Sequence, residues 1–139
     1  MIKNIENQIK KAETFIEFWT KFNHLFNDAM ANGMGVAPER ESFVSTSLLV
    51  NTRFEELMDT MKVSSRDRMK KCYPIYEILS INDFNNMSDE KLDRIKDCWN
   101  DSFVYLYSML DRCRKKKKKV EKLIGFNFFA KLIPGRRGQ

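Results

Sequence analysis

Histidine occurs once in this chain, cysteine three times, proline three times and glycine five times, and each scarcity closes off a class of function. His24 has no histidine partner and no Glu-x-x-His or His-Glu-x-x-His frame around it, so the usual helical zinc and di-metal ligand sets are missing. No arginine precedes it, which removes the helical nuclease pattern of Arg followed four to six residues later by His. Its place among Phe22, Asn23 and Leu25 reads as boundary packing. Cys72, Cys98 and Cys113 form no Cys-x-x-Cys unit, and Cys72 and Cys113 fall on apolar stripes, as small buried residues do. Their odd number and wide spacing suit a reducing, cytoplasmic compartment. Cys113 alone stands inside a basic run, where neighbouring charge is expected to lower a thiol pKa. Gly33 and Gly35 make a Gly-x-Gly with no lysine motif after it, so no phosphate-cradling loop is present. The expectation is a protein that is not an enzyme and carries no metal or cofactor.

Long hydrophobic runs are also missing. Nothing approaches the roughly 18 apolar residues that a membrane-spanning helix needs. The N-terminus, Met1-Ile-Lys-Asn-Ile-Glu6, is charged and periodic from the start, unlike a signal peptide. Few helix breakers, together with repeated helical periodicity, predict an all-α fold.

What the chain does have is large apolar side chains: 11 Phe, 8 Met and 2 Trp in 139 residues, enough for the core of one domain. Ile2, Ile5, Ile9, Ala12, Ile16, Trp19, Phe26 and Met30 form one stripe, widened by Phe15, Phe18, Phe22, Leu25 and Ala29. A face so broad predicts a first helix, from Ile2 to about Asn32, with two neighbours. Asn32-Gly33-Met34-Gly35 should stop it. Pro38 suits the first turn of a second helix, whose buried face is Phe43, Val44, Ser47, Val50, Phe54, Leu57, Met58 and Met61, ending near Lys62. Ser64 and Asp67 resemble a capping box opening a third helix. Pro74 lies inside that helix and should kink or split it, since proline lacks the amide hydrogen and clashes with the preceding turn. Residues 81–87 read as a loop with Phe84 tucked inward.

A fourth helix is expected from Ser88, as N-cap, to Gly125, as a left-handed C-cap. Leu92, Ile95, Trp99, Phe103, Leu106, Leu110 and Cys113 give its apolar stripe, resumed by Val120, Leu123 and Ile124. Short connections then favour an antiparallel up-down-up-down four-helix bundle over residues 1–124, with a basic, aromatic tail at 125–139.

Charge is unevenly placed. Residues 112–139 hold 11 Lys/Arg and one acid, Glu121, a balance of +10; residues 1–111 hold 14 Lys/Arg and 18 Asp/Glu, a balance of −4. Arg112, Arg114, Lys115, Lys116, Lys117, Lys118 and Lys119 point all round the last helix, and a protein core accepts no such ring of charge. The antiparallel topology brings them to the pole that also receives Lys3, Lys10, Lys11, Lys62, Arg66, Arg68, Lys70 and Lys71. Asp28, Glu39, Glu41, Asp83, Asp89, Glu90 and Asp93 go to the other, so a rod basic at one end is expected.

Such an end suits a polyanion. Lysines on a helix follow phosphates and release counterions, giving salt-dependent binding with little base preference. The nucleic-acid site (RNA or DNA) is therefore expected at Arg112, Arg114, Lys115–Lys119 and Lys122, helped by Arg66, Arg68, Lys70, Lys71, Arg136 and Arg137. Phe126, Phe128 and Phe129 would stack on unpaired bases. The chain would act as an accessory or scaffold subunit, its bundle holding a protein partner or a sister copy. Two alternatives share these residues. A polybasic segment followed by Phe126–Ile133 also suits an anionic membrane surface, and a pure protein-interaction bundle would use the charge on another subunit's acids. Finally, Asp89, Asp93, Asp97 and Asp101 stand four apart, a spacing at which like charges repel by about 0.2–0.5 kcal/mol per pair. They read as a solvated face, or as a docking face for a basic partner or a weak cation site.

Overall fold

The computed structural model describes the backbone at residues 1–31, 37–82, 84 and 87–131, and the side chains of those residues except 37–39 and 127–131. The fold is all-α. Five helices pack together: α1 (Ile2–Ala31), α2 (Ala37–Thr60), α3 (Ser65–Lys71), α4 (Tyr73–Leu79) and α5 (Asp89–Lys131). The predicted stop of α1 at 32–35 lies outside the described residues.

Local chemistry accounts for most boundaries. Ser64 caps α3, its hydroxyl accepting from the Asp67 amide at 3.2 Å, and Ser88 caps α5 by accepting from the Lys91 amide at 3.1 Å. Pro74 splits the expected third helix: α3 ends at Lys71, Cys72 turns the chain with φ −104°, and the proline sits in the first turn of α4. The end of α2 is less conventional. Lys62 takes φ 58°, its amide donates to Asp59 O at 3.1 Å, and the Val63 amide donates to Met58 O at 3.0 Å. This is a left-handed helix end with lysine where glycine is usual, at a steric cost of about 1–2 kcal/mol.

One end-point differs from expectation. Gly125 is not a C-cap; α5 runs through it to Lys131, and open space surrounds the position a Cβ would occupy. Glycine only weakens a helix, by about 1 kcal/mol against alanine, and the six helical residues that follow it include no proline.

Phe15 of α1 meets Phe54 of α2, Phe22 stacks on Phe43 at 4.5 Å, and Gln8 donates to Thr60 O. Numbering thus rises along α1 as it falls along α2, and the two are antiparallel. Trp19 against Trp99, Glu13 against Arg114 and Glu6 against Lys117 make α1 and α5 antiparallel too. α4 packs on α5 and α2, with Pro74, Ile75 and Ile78 buried, whereas α3 buries nothing.

The core is continuous and aromatic. Trp19, Phe22, Phe26, Phe43 and Trp99 are all within 6 Å ring contacts of one another's neighbours, and Phe84 closes the cluster edge-on to Phe43 at 5.3 Å. Each such ring removes about 150–250 Å² from water, roughly 4–6 kcal/mol of transfer free energy. The indole N–H of Trp19 donates to Ser102 Oγ at 2.9 Å, and that hydroxyl donates to Trp99 O at 2.6 Å, so a fully buried serine is satisfied. The indole N–H of Trp99 is buried with no acceptor among the described residues, an arrangement that costs about 1–3 kcal/mol.

Candidate functional site

α5 positions the basic cluster. Among the described side chains its burial stops at Leu110, and beyond that point only Cys113, Lys117 and Val120 are even partly covered. At 1.5 Å per residue its 43 residues span about 65 Å, against about 45 Å for the 30 of α1. The surplus lies at the C-terminal end, because Lys117 already reaches Glu6, near the start of α1.

The cations sort into three sides of the helix. Arg114 and Lys117 face α1. Arg114 pairs with Glu13 at 3.2 Å, and Lys117 pairs with Glu6 at 3.8 Å and with Glu121 at 3.6 Å. Lys115, Lys118 and Lys122 share the outward side; Lys115 pairs with Asp111 at 3.0 Å. Arg112, Lys116 and Lys119 follow Tyr105 at spacings of seven, four and three, which places them on the α3–α4 side. There burial has the largest effect on the pKa of the Tyr105 hydroxyl, raising it, after which Arg112 lowers and Asp67 raises it. No carboxylate of a described residue lies within 4 Å of Arg112, Lys116, Lys118, Lys119 or Lys122, and all five are exposed.

α3 contributes unequally. Arg66, Lys70 and Lys71 are exposed. Arg68 is occupied: its guanidinium donates to Glu55 at 2.6 Å and Asp59 at 2.7 Å, and its Nε donates to Val63 O at 2.9 Å. Those bonds, the Asp59 one foremost, raise its already high pKa. Tyr76 donates to the other Glu55 oxygen at 2.6 Å, and burial, then that bond, pushes its phenol up. Arg68 thus fastens a helix with no buried residue to α2, and it is a structural clamp.

The start of α1, the end of α2, α3 and the late part of α5 therefore share one pole, which carries acids as well as bases. The opposite stripe, Asp89, Asp93, Asp97 and Asp101, is exposed throughout, and no described Lys or Arg lies within 4 Å of it.

Phe126 is 72% exposed, with Leu123 at 63% and Ile124 at 53% beside it. The side chains of Phe128 and Phe129, and all of Arg136 and Arg137, lie outside the described residues. Two expectations change. Burial raises the Cys113 thiol pKa, outweighing Arg112 and Lys116, because the sulfur packs against Met61 Sδ at 3.8 Å. His24 is exposed on a shallow α1–α5 groove with Glu17, Thr20 and Tyr107, one step out of phase with buried Phe22 and Phe26. A second open cleft, of about 550 Å³, runs between α1 and α2, with Lys10, Lys21 and Arg53 above Phe15 and Phe18. Only pairing the two helices creates that combination. Among the described residues no three His, Cys, Asp or Glu side chains gather as a metal site, and no helix is long and apolar enough to cross a membrane.

No protein-family model matches the chain, and neither a curated protein nor a solved structure is significantly similar to it.

Proposed function

We propose that this chain is a non-enzymatic nucleic-acid-binding subunit that grips phosphate backbone with the basic end of α5. The observation that carries this reading is the group Arg112, Lys116, Lys118, Lys119 and Lys122, exposed and free of carboxylate partners within 4 Å. Unpaired cations on a projecting helix keep their full attraction for phosphate. Arg66, Lys70 and Lys71 extend the surface on the α3 side, and Phe126 stands ready to stack on an unpaired base. Arg68 is left out, since its fork is filled. The body, read as an antiparallel four-helix bundle with α3 and α4 as one broken arm, serves as the scaffold that presents this end within a larger cytoplasmic assembly.

A second reading has its own observation. Leu123, Ile124 and Phe126 are exposed next to the lysines, which also fits peripheral binding to anionic lipid. One experiment separates the two: binding to labelled single-stranded RNA, a DNA duplex and anionic vesicles across a salt series, with wild type and with Lys115–Lys119 all replaced by glutamine. Neutralising about five phosphates gives a log–log salt slope near −4.5 on duplex. The glutamine variant should lose nucleic-acid binding and keep its helicity. Vesicle binding that survives high salt establishes the lipid reading instead, and unchanged nucleic-acid binding by the variant sinks the phosphate-gripping one.

A further inference from the structure

The side of α5 that points away from the core is divided by charge. Its first half carries Asp89, Asp93, Asp97 and Asp101; its second half carries Lys115, Lys118 and Lys122; all are exposed. Between them stand Val104, 59% exposed, and Tyr107, 53% exposed. These residues lie on the side opposite Ile95, Leu106 and Cys113, at spacings of three, four and seven. The acids sit at a mutually repulsive spacing, and no described Lys or Arg of their own chain lies within 4 Å of them.

We propose that this face pairs with the same face of a second copy, with the two α5 helices antiparallel about a twofold axis near Tyr107. Reversing the direction of one copy lays its lysine row on the other's aspartate row, twice over, and brings Val104 and Tyr107 together at the centre. A parallel pairing sets acid on acid and base on base, so the pattern selects the antiparallel one. A twofold interface requires one patch to complement itself, and a strip whose halves carry opposite charge about an apolar midpoint does so. An unrelated acidic or basic partner would match one half and repel the other. The strip from Asp89 to Lys122 is about 50 Å long. At the roughly 10 Å width of a helix it covers about 1,000 Å² over both copies, the lower bound for a specific interface. Phe103, stacked on Tyr107 at 6.4 Å, stiffens the centre. Asp111 also lies on the strip and is held by Lys115 at 3.0 Å. In the dimer Lys118 and Lys122 are committed to the partner copy's aspartates, and Arg112, Lys116 and Lys119, which point to the α3 side outside the strip, are the cations left for phosphate, as two basic patches at its ends.

The test is sedimentation equilibrium of the full chain over a wide concentration range. Wild type should be a reversible dimer whose Kd rises at least about tenfold between about 0.05 and 0.5 M salt, as charges become screened. Asp93→Lys with Asp97→Lys makes the strip predominantly basic, and Lys118→Glu with Lys122→Glu makes it predominantly acidic. Every substituted position is exposed, and far-UV circular dichroism checks that each variant remains helical. Each variant alone should be monomeric, and mixed in equal amounts they should form a one-to-one heterodimer. A monomeric wild type at the highest concentration overturns the proposal. So does a variant that dimerises like wild type, since association through the exposed Leu123, Ile124 and Phe126 would survive charge reversal. A mixture that stays monomeric overturns it as well.

Discussion

The two parts of α5 share one unbroken backbone and almost nothing else. From Leu92 to Leu110 the helix gives one side to a core of Trp19, Phe22, Phe54, Trp99 and Leu106. From Arg112 to Phe126 it is mostly exposed: Cys113 touches Met61, and Arg114 and Lys117 reach back to α1. The first part is helical because packing requires it. The second relies on helix propensity, on the ion pairs of Lys115 and Lys117 with Asp111 and Glu121 at a spacing of four, and on continuity with the first. Substitutions in the one should change stability, and in the other binding.

The largest effect is expected from Trp19→Ala. It deletes a fully buried ring and leaves Ser102 without its donor, costing about 3–5 kcal/mol. Urea unfolding should show the midpoint drop, or no folded state at all, in a domain whose total stability is about 5–15 kcal/mol. Arg68→Ala comes next. It strands Glu55 beside Tyr76 and frees Val63 O, and should cost about 1–3 kcal/mol, with Asp59 adding little because it lies in water. Lysine at that position should rescue only part, since it lacks the two-pronged fork. Hydrogen exchange in α3 should quicken first.

Alkali sharpens the same contrast. Burial raises the pKa of Cys72, Cys98, Tyr76 and Tyr105, with Glu55 adding to the effect on Tyr76 and Cys72 to that on Tyr105. The unfolded chain ionises these groups near their ordinary values, about 9 for thiols and 10 for phenols, while the folded chain resists. Their contribution to stability is therefore complete below about pH 8 and lost progressively above it. Urea midpoints measured from pH 7 to 11 should fall accordingly. Gly125→Ala is the mildest change. The global midpoint should not move, whereas amide protection around residue 125 should rise, because alanine favours helix by about 1 kcal/mol and meets nothing there. Reduced protection would show that the helix does end at Gly125.

Much of the body is legible in the sequence because burial follows helical period. Of the expected α2 stripe, Phe43, Ser47, Val50, Phe54, Leu57 and Met58 are buried, while Val44 and Met61 are half-buried. Ser64, Ser88 and Pro74 act locally, so their effects on helix ends are readable without knowing the neighbours. That Arg68 is occupied is not legible in the sequence, for the opposite reason. On a seven-residue helix beside Lys70 and Lys71 it looks like one more surface cation, and its partners lie nine to thirteen residues away on α2. Cys113 likewise has a basic neighbourhood in sequence and a methionine neighbour in space.

By itself the sequence determined that this protein is helical, where its apolar faces run and that its positive charge is concentrated late in the chain. These depend on spacing and composition, which act within a few residues. Tertiary structure alone decided which cations are spent and which are free. Glu6, Glu13, Glu55 and Asp59 come from other helices, and Coulomb attraction with hydrogen bonding counts only at distances that the packing of α1 and α2 against α5 and α3 sets.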